Sequence, residues 1–397
     1  MQPFADKSAL VVQGNNQFAF DLYGRLRSQE NTLFFSPYSL STALAMTYAG
    51  ARGQTAEQMA IVLHFPLDQQ QLYPVCAAVM QALTTAPRRR WWRRQALHGD
   101  STSHSYQLHI ANALWSQEGY EFLPSFVQLI KGYDGTRWQE VDFVHATEAA
   151  RRTINTWVEK QTQGKIKDLL PPGMLNSLSR LVLTNAIFFK GQWANKFQKY
   201  LTRAEPFLVP GAQEVRVPMM HQADQFHYGE GDGFQALELP YRGDRLSMVV
   251  LLPRELDGLE AFEKTLSAHN LAQWLTQLRP RQVIVYLPQF KVSTAFFLAK
   301  ELAAMGMPLA FDVEEADFSG MTRDRDLFLT EVVHKAFVEV NEEGTVAAAA
   351  TAVGIMMLSA EMIAPPVFRV DHPFIFLVRD RRSGSILFMG RVRTPQQ

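Results

Sequence analysis

The sequence predicts an α+β fold in which one large domain contains more than one sheet. Three observations carry that prediction. Apolar runs of strand length recur along the chain, among them LVLTNAIFF, LSMVVLLP and DHPFIFLV, with helically spaced segments between them. No Gly/Ser-rich or Pro-rich spacer divides the 397 residues, although that length alone suggests two or three units at about 150 residues each. Hydrophobic residues are 47% of the chain, enough for a large core and too many for global disorder. Several sheets with a cluster of helices is the α+β arrangement.

The elements follow in order. Ala9 to Leu26 carries apolar residues at helical spacing, and Leu33 to Phe35 reads as a short strand. Ser36 can cap a helix with Pro37 at its first position. That helix runs over small residues to Gly50, a plausible stop. Thr55 starts the next one, with Gln58 three residues on, as in a capping box. Residues 84–106 break the pattern and read as a loop with a basic tip. Leu108 to Trp115 is a strand candidate, and Ala149 to Leu170 a helix interrupted near Gly164. Leu181 to Phe189 is a buried strand, apolar apart from Thr184 and Asn185. Leu246 to Pro253 and Arg281 to Val292 are further strands, each punctuated by proline. Phe296 to Met305 reads as a helix and His334 to Asn341 as a strand. No internal repeat is present.

Composition removes several classes of function. A formal net charge of zero gives no general reason to expect nucleic acid or an anionic membrane as partner. No run reaches the roughly 18 apolar residues of a membrane span. The opening MQPFADKSALVVQGNNQFAF lacks the basic and apolar segments of a signal peptide. The expectation is a protein that stays inside the cell or a chain that is already mature. Cys76 is the single cysteine, so no internal disulfide is expected, and its apolar neighbours make it a buried, inert thiol. H-E-x-x-H, G-x-S-x-G, the P-loop and G-x-G-x-x-G are all missing, and catalysis has no positive support. His98 and His104 lie together in the basic loop, but no metal site is expected.

Two segments stand out chemically. Arg88, Arg89, Arg90, Trp91, Trp92, Arg93 and Arg94 form the strongest charge feature. Arginine suits sulfate or phosphate geometry and tryptophan can stack on sugars or bases. The loop is therefore either a solvated surface feature or a site for a polyanion such as a glycosaminoglycan or nucleic acid. The second segment, NEEGTVAAAATAVGI from Asn341 to Ile355, is small almost throughout. It offers too little apolar area to build a core. Side chains this small can instead enter a crowded sheet without overpacking it. Trapped between strong strand sequences, it reads as a mobile loop tied to a rigid body.

The chain resembles the serpins along nearly its whole length. FFSPYSLSTALAMTYAGARGQTAEQM, NTWVEKQTQGKIKDLL, LTNAIFFKGQW, LPQFKV, FSGM, VVHKAFVEVNEEGTVAAAATAV, DHPFIFLVRD and SILFMGRV carry the likeness, in the family's order and spacing. The resemblance implies one serpin domain over 1–397, with three β-sheets, a cluster of about eight or nine helices and an exposed reactive-centre loop near 342–366. It implies a monomer that inhibits a serine protease by covalent trapping, with no cofactor required and no membrane partner. A protease cuts the loop, becomes an acyl-enzyme, and is carried along as the loop inserts into the central sheet. The hinge would be Glu342, Glu343, Gly344, Thr345, Val346, Ala347, Ala348, Ala349, Ala350 and Thr351. Thr345, Ala347, Ala349 and Thr351 should face inward; all four are small, and the segment from Thr345 to Thr351 holds neither proline nor charge.

Counted from Gly344, the family's spacing places the scissile bond at Leu358–Ser359, with Met356 and Met357 before it. The strand Thr345–Leu358 would span about 46 Å at ~3.3 Å per residue. Counting backwards from Pro365 and Pro366 gives Met362–Ile363 instead. Leucine suits a deep apolar specificity pocket of the chymotrypsin, cathepsin G or elastase type. Ser36, Ser39, Asn185 and His334 match the family's shutter beneath the centre of the sheet. Trp193 matches the residue at the top, where insertion begins. A carrier or chaperone on the same scaffold is the alternative, as is an inhibitor activated by polyanion at the arginine loop.

Overall fold

The computed structural model describes residues 2–28, 32–84, 106–131, 136–211, 214–323, 326–345 and 364–395. The arginine loop at 88–94 and the loop residues 346–363 lie outside these. Nine α-helices occur among the described residues: α1 (Gln2–Leu26), α2 (Pro37–Gly50), α3 (Gly53–Val62), α4 (Gln69–Thr84), α5 (Pro124–Lys131), α6 (Thr147–Gln161), α7 (Leu259–Glu263), α8 (Ala268–Gln277) and α9 (Ala299–Met305). The strands are β1 (Leu33–Phe35), β2 (Tyr106–Gln117), β3 (Thr136–Val141), β4 (Leu181–Gln192), β5 (Arg203–Phe207), β6 (Val215–Gly231), β7 (Phe234–Pro240), β8 (Leu246–Pro253), β9 (Arg279–Pro288), β10 (Phe290–Phe297), β11 (Leu329–Asn341), β12 (Gly344–Thr345), β13 (Val367–Arg369), β14 (Phe374–Asp380) and β15 (Ile386–Val392).

The strands form two hydrogen-bonded sheets. One has six strands in the order β10-β11-β12-β4-β2-β3, and β11 also pairs directly with β4. The other has nine, in the order β1-β15-β14-β8-β7-β6-β9-β13, with β5 paired to β6. Three sheets are expected from the resemblance; two of them are continuous here because β6 is 17 residues long. Its first part pairs with β5, its middle with β9 and its end with β7.

The six-stranded sheet is covered on both faces. Ile187, Phe189, Ala336 and Val338 pack against Leu237, Val250, Phe376 and Phe388 of the larger sheet. On the opposite face Val182, Ala186, Phe188 and Val333 pack against Ala150, Ile154 and Val158 of α6. α2 is buried throughout, which its run of small residues allows. Ser36 caps it as the sequence suggests, accepting the Ser39 N–H at 3.2 Å. Gly50 is the last residue of the helix, as expected, and the position favours glycine for space: a Cβ there would meet Met321 Cγ at 2.1 Å.

Several boundaries differ from the sequence reading. α3 begins at Gly53 with no side-chain cap. Thr55 and Gln58 instead accept the backbone N–H groups of Asp317 and Leu309. The expected helix 149–170 stops at Gln161, where Gln163 and Gly164 take left-handed backbone at φ 53° and 73°. The chain then returns along the helix, with Asn155 bonded to both the N–H and the carbonyl of Leu170. Phe296 and Phe297 finish β10 rather than start a helix, because they pair with His334 and Val333.

Candidate functional site

The centre of the six-stranded sheet carries a row of polar side chains in one cross-strand register. Asn112 of β2 lies opposite Asn185 of β4, and Asn185 lies opposite His334 of β11. All three are buried, so each polar atom needs a partner inside the protein. The Ser36 N–H donates to His334 Nε2 at 3.0 Å, so that nitrogen carries no proton. The other ring nitrogen, Nδ1, therefore donates to Asn185 Oδ1 at 2.5 Å. Asn185 Nδ2 donates to Ser39 Oγ at 2.6 Å and also to Asn112 Oδ1. Ser36 Oγ donates to the Leu387 carbonyl of β15 at 2.6 Å. Burial holds the His334 imidazolium off, bringing its pKa down to about 3, so the ring is neutral.

That network spans a seam. β4 and β11 are parallel and pair directly from Leu181 and Leu329 up to Phe188 and Phe337. Above Phe188 they diverge and β12 sits between them. Thr345 lies opposite Val340 on one side and Gly191 on the other; Gly344 lies opposite Asn341 and Gln192. Both contacts are antiparallel, the favoured ladder geometry.

Local chemistry fixes this junction. Gly344 has φ +136°, and a Cβ there would lie 2.2 Å from the Gly191 carbonyl oxygen and 2.7 Å from Gln192 Cα, so only glycine fits. Thr345 is fully buried, and its Oγ1 is hydrogen-bonded to the Tyr241 hydroxyl at 3.0 Å. Trp193 stacks on Tyr241 at 4.7 Å, and its Nε1 donates to the Asn341 carbonyl at 2.9 Å. Glu343 pairs with Lys196 at 2.6 Å and Lys199 at 3.6 Å. Glu342 Oε1 accepts from the Thr202 hydroxyl at 2.6 Å.

The structure thus brings Ser36, Ser39, Asn185 and His334 into one network and places Trp193, Glu342, Glu343, Gly344 and Thr345 together at the top of the seam. Val346, Ala347, Ala348, Ala349, Ala350, Thr351, Met356, Met357, Leu358, Ser359, Met362 and Ile363 lie outside the described residues, as do Arg88–Arg94 and both loop tryptophans. The sequence reading passed over Asn112, Tyr241 and Lys196. For Asn112 a signal existed: an asparagine in an apolar strand, like Asn185, needs a buried partner. For Tyr241 and Lys196 only the fold supplies one.

The arrangement defines a protein whose central sheet is bridged by a buried polar network and holds Gly344 and Thr345 between two of its strands. Residues 13–395 match the family model described as Serpin (serine protease inhibitor), and the chain belongs to the serpin family. A serpin-like protein of Thermococcus kodakarensis is 42% identical over 97% of this chain and 86% of its own length. The human leukocyte elastase inhibitor is 41% identical over 97% of this chain and 99% of its own. Human thyroxine-binding globulin, solved with thyroxine, superposes with a TM-score of 0.84 at 30% identity, covering 98% of this chain and all of that one.

Proposed function

We propose that the chain is a suicide-substrate inhibitor of chymotrypsin-like serine proteases, of the chymotrypsin, cathepsin G or elastase type. The protease serine oxygen attacks the Leu358 carbonyl carbon. The Leu358–Ser359 peptide bond breaks, the new amino group leaves with Ser359, and Leu358 stays esterified to the enzyme. The freed hinge then enters the seam between β4 and β11. A relative named as an elastase inhibitor agrees with this class of target.

One observation carries the reading: the registers of β12. Continued downward, its pairing with β11 sets Thr351 opposite His334, and its pairing with β4 sets Thr351 opposite Asn185. His334 and Asn185 are already partners across the closed seam, so three separate registers agree. Thr351 shares the inward face of Thr345, since alternate residues of a strand share a face. Its hydroxyl can take the place of Asn185 Oδ1 as acceptor from His334 Nδ1. On this register the network of Ser36, Ser39, Asn185 and His334 acts as the shutter, and Trp193 guards the entry. Ile355 falls opposite Leu181 at the foot of β4, so the seam is filled before the bond at Leu358 is reached. Met362–Ile363 would leave a longer unpaired tail.

The test is incubation with a slight excess of chymotrypsin, followed by a denaturing gel and mass spectrometry. The expected result is a complex that survives denaturation, with release of Ser359–Gln397. Cleavage at Leu358 with no complex would overturn the inhibitory reading.

A carrier role is the second reading. A cavity of about 610 Å³ lies between α1, α8 and the β14–β15 turn, lined by Gln13, Asn16, His269, Leu275 and Arg379 among others. That volume suits a small ligand. A polyanion at Arg88–Arg94 would add a cofactor to the first reading, and inhibition would then weaken steeply with salt.

A further inference from the structure

We infer that the outer face of β6, β9 and β13 is a second docking surface for the protease held on the loop; the inference rests on the inhibitory reading above. The face is built in register. Arg369 of β13 lies opposite Tyr286 of β9, and Tyr286 lies opposite His221 of β6. One row toward the other end of β13, Val367 lies opposite Ile284. Val285, Leu287 and Phe368 alternate with these residues and are fully buried, so Tyr286, Arg369 and Val367 point the other way.

The row is rigid before any partner arrives. The Arg369 guanidinium sits 3.6 Å above the Tyr286 ring centroid, and Nη1 is held by Glu205 Oε2 at 2.5 Å. The His221 ring packs on Tyr286 at 4.6 Å. Tyrosine and arginine are the residue types that dominate binding energy at interfaces. Fixing them in advance lowers the ordering cost of association. Val367 is 47% exposed and supplies an apolar centre beside them.

Reach decides who occupies the face. Among the described residues β13 is the first strand after Thr345, and it ends the nine-stranded sheet. From Ser359 to Val367 is about eight residues, at most ~27 Å of fully extended chain. A protease domain of about 240 residues has a radius of roughly 23 Å. A body that size, gripping the loop at Leu358, overhangs β13 unless the leash is pulled taut. The alternative bond Met362–Ile363 would bring it closer still.

The experiment measures the second-order rate constant for chymotrypsin inhibition by the full chain and by Tyr286→Ala, Arg369→Ala and Val367→Asp. Melting temperature and stoichiometry of inhibition are followed in parallel. We expect a five- to thirtyfold slower association for Tyr286→Ala and Val367→Asp, with stoichiometry unchanged. Rates within twofold of the parent for all three variants, each folded by its melting curve, would overturn the docking surface. If the parent forms no covalent complex, the inhibitory reading has failed on its own. Affinity for chymotrypsin with its nucleophilic serine replaced by alanine then decides: weaker binding by the same variants supports the surface, and equal binding removes it.

Discussion

Two buried histidines titrate in opposite senses, and each sense follows from its partners. His334 has one obligatory donor facing it, the Ser36 N–H, and must stay neutral; burial brings its pKa down to about 3. The unfolded chain takes up that proton near pH 6.5, so stability falls as pH drops from there toward 3, by up to about 1.4 kcal/mol per unit. His372 faces two acceptors: Nδ1 reaches Asp371 Oδ1 at 2.8 Å and Nε2 reaches the Pro253 carbonyl at 2.7 Å. Both nitrogens must donate, so the imidazolium is the form that fits. Burial alone would lower its pKa, but Asp371 and the Pro253 carbonyl override burial and raise it. Its contribution is full below about pH 6.5 and is lost as pH rises through the raised folded value. Urea midpoints measured from pH 4 to 9 should show this. His334→Gln should flatten the acid limb and His372→Asn the alkaline limb; identical profiles for the two variants would contradict both assignments. His334 was legible as a polar group needing a partner. Which of its nitrogens carries the proton was not, because the Ser36 N–H that decides it comes from a residue almost 300 positions away.

At the scale of the element, the proposed hinge works by exclusion. Gly344 allows the backbone to pass within contact of Gly191 and Gln192, and Thr345 is buried against Tyr241. On the proposed insertion, Ala347, Ala349 and Thr351 would follow Thr345 inward, onto a face where a charge would be costly to bury. Ala349→Arg should therefore leave the loop cleavable but stall insertion. Chymotrypsin should then turn the variant over as a substrate, with a stoichiometry of inhibition at least tenfold above the parent on a titration; an unchanged value would argue against inward entry. Strands were the most legible elements, since the apolar runs at Leu33–Phe35 and Leu246–Pro253 have the predicted bounds. Helix ends were less so. The capping-box pattern at Thr55 and Gln58 is present, yet both side chains bond backbone from residues 309–317, and tertiary partners outbid the local ones. α4 went unassigned because Pro74 interrupts a segment that the packed fold still holds helical.

At the scale of the molecule, the proposed insertion makes the closed sheet the less paired of two arrangements. β4 and β11 now share one short parallel ladder, and parallel pairing is slightly the weaker kind. Inserting Val346 to Ile355 would give each new residue antiparallel partners on both sides. That exchange gains about a dozen backbone hydrogen bonds, worth on the order of 10 kcal/mol at ~1 kcal/mol each. The unfolding entropy of a chain this long is about 0.8 kcal/mol per degree, so roughly 10 °C is the ceiling on the rise in melting temperature, because ordering the inserted residues offsets part of the gain. The sequence could show that the hinge is permitted in a sheet. It could not show that the sheet is closed below Thr345, because that depends on β4 pairing directly with β11, a strand far away in the sequence. The prediction is direct: limited cleavage within the loop, then calorimetry of the cut and uncut protein at one scan rate. A rise in melting temperature means that the closed sheet is held short of its best pairing. An unchanged or lower melting temperature would mean that the loop, once cut, stays outside, and that the seam is an ordinary parallel pair with no stored advantage to release.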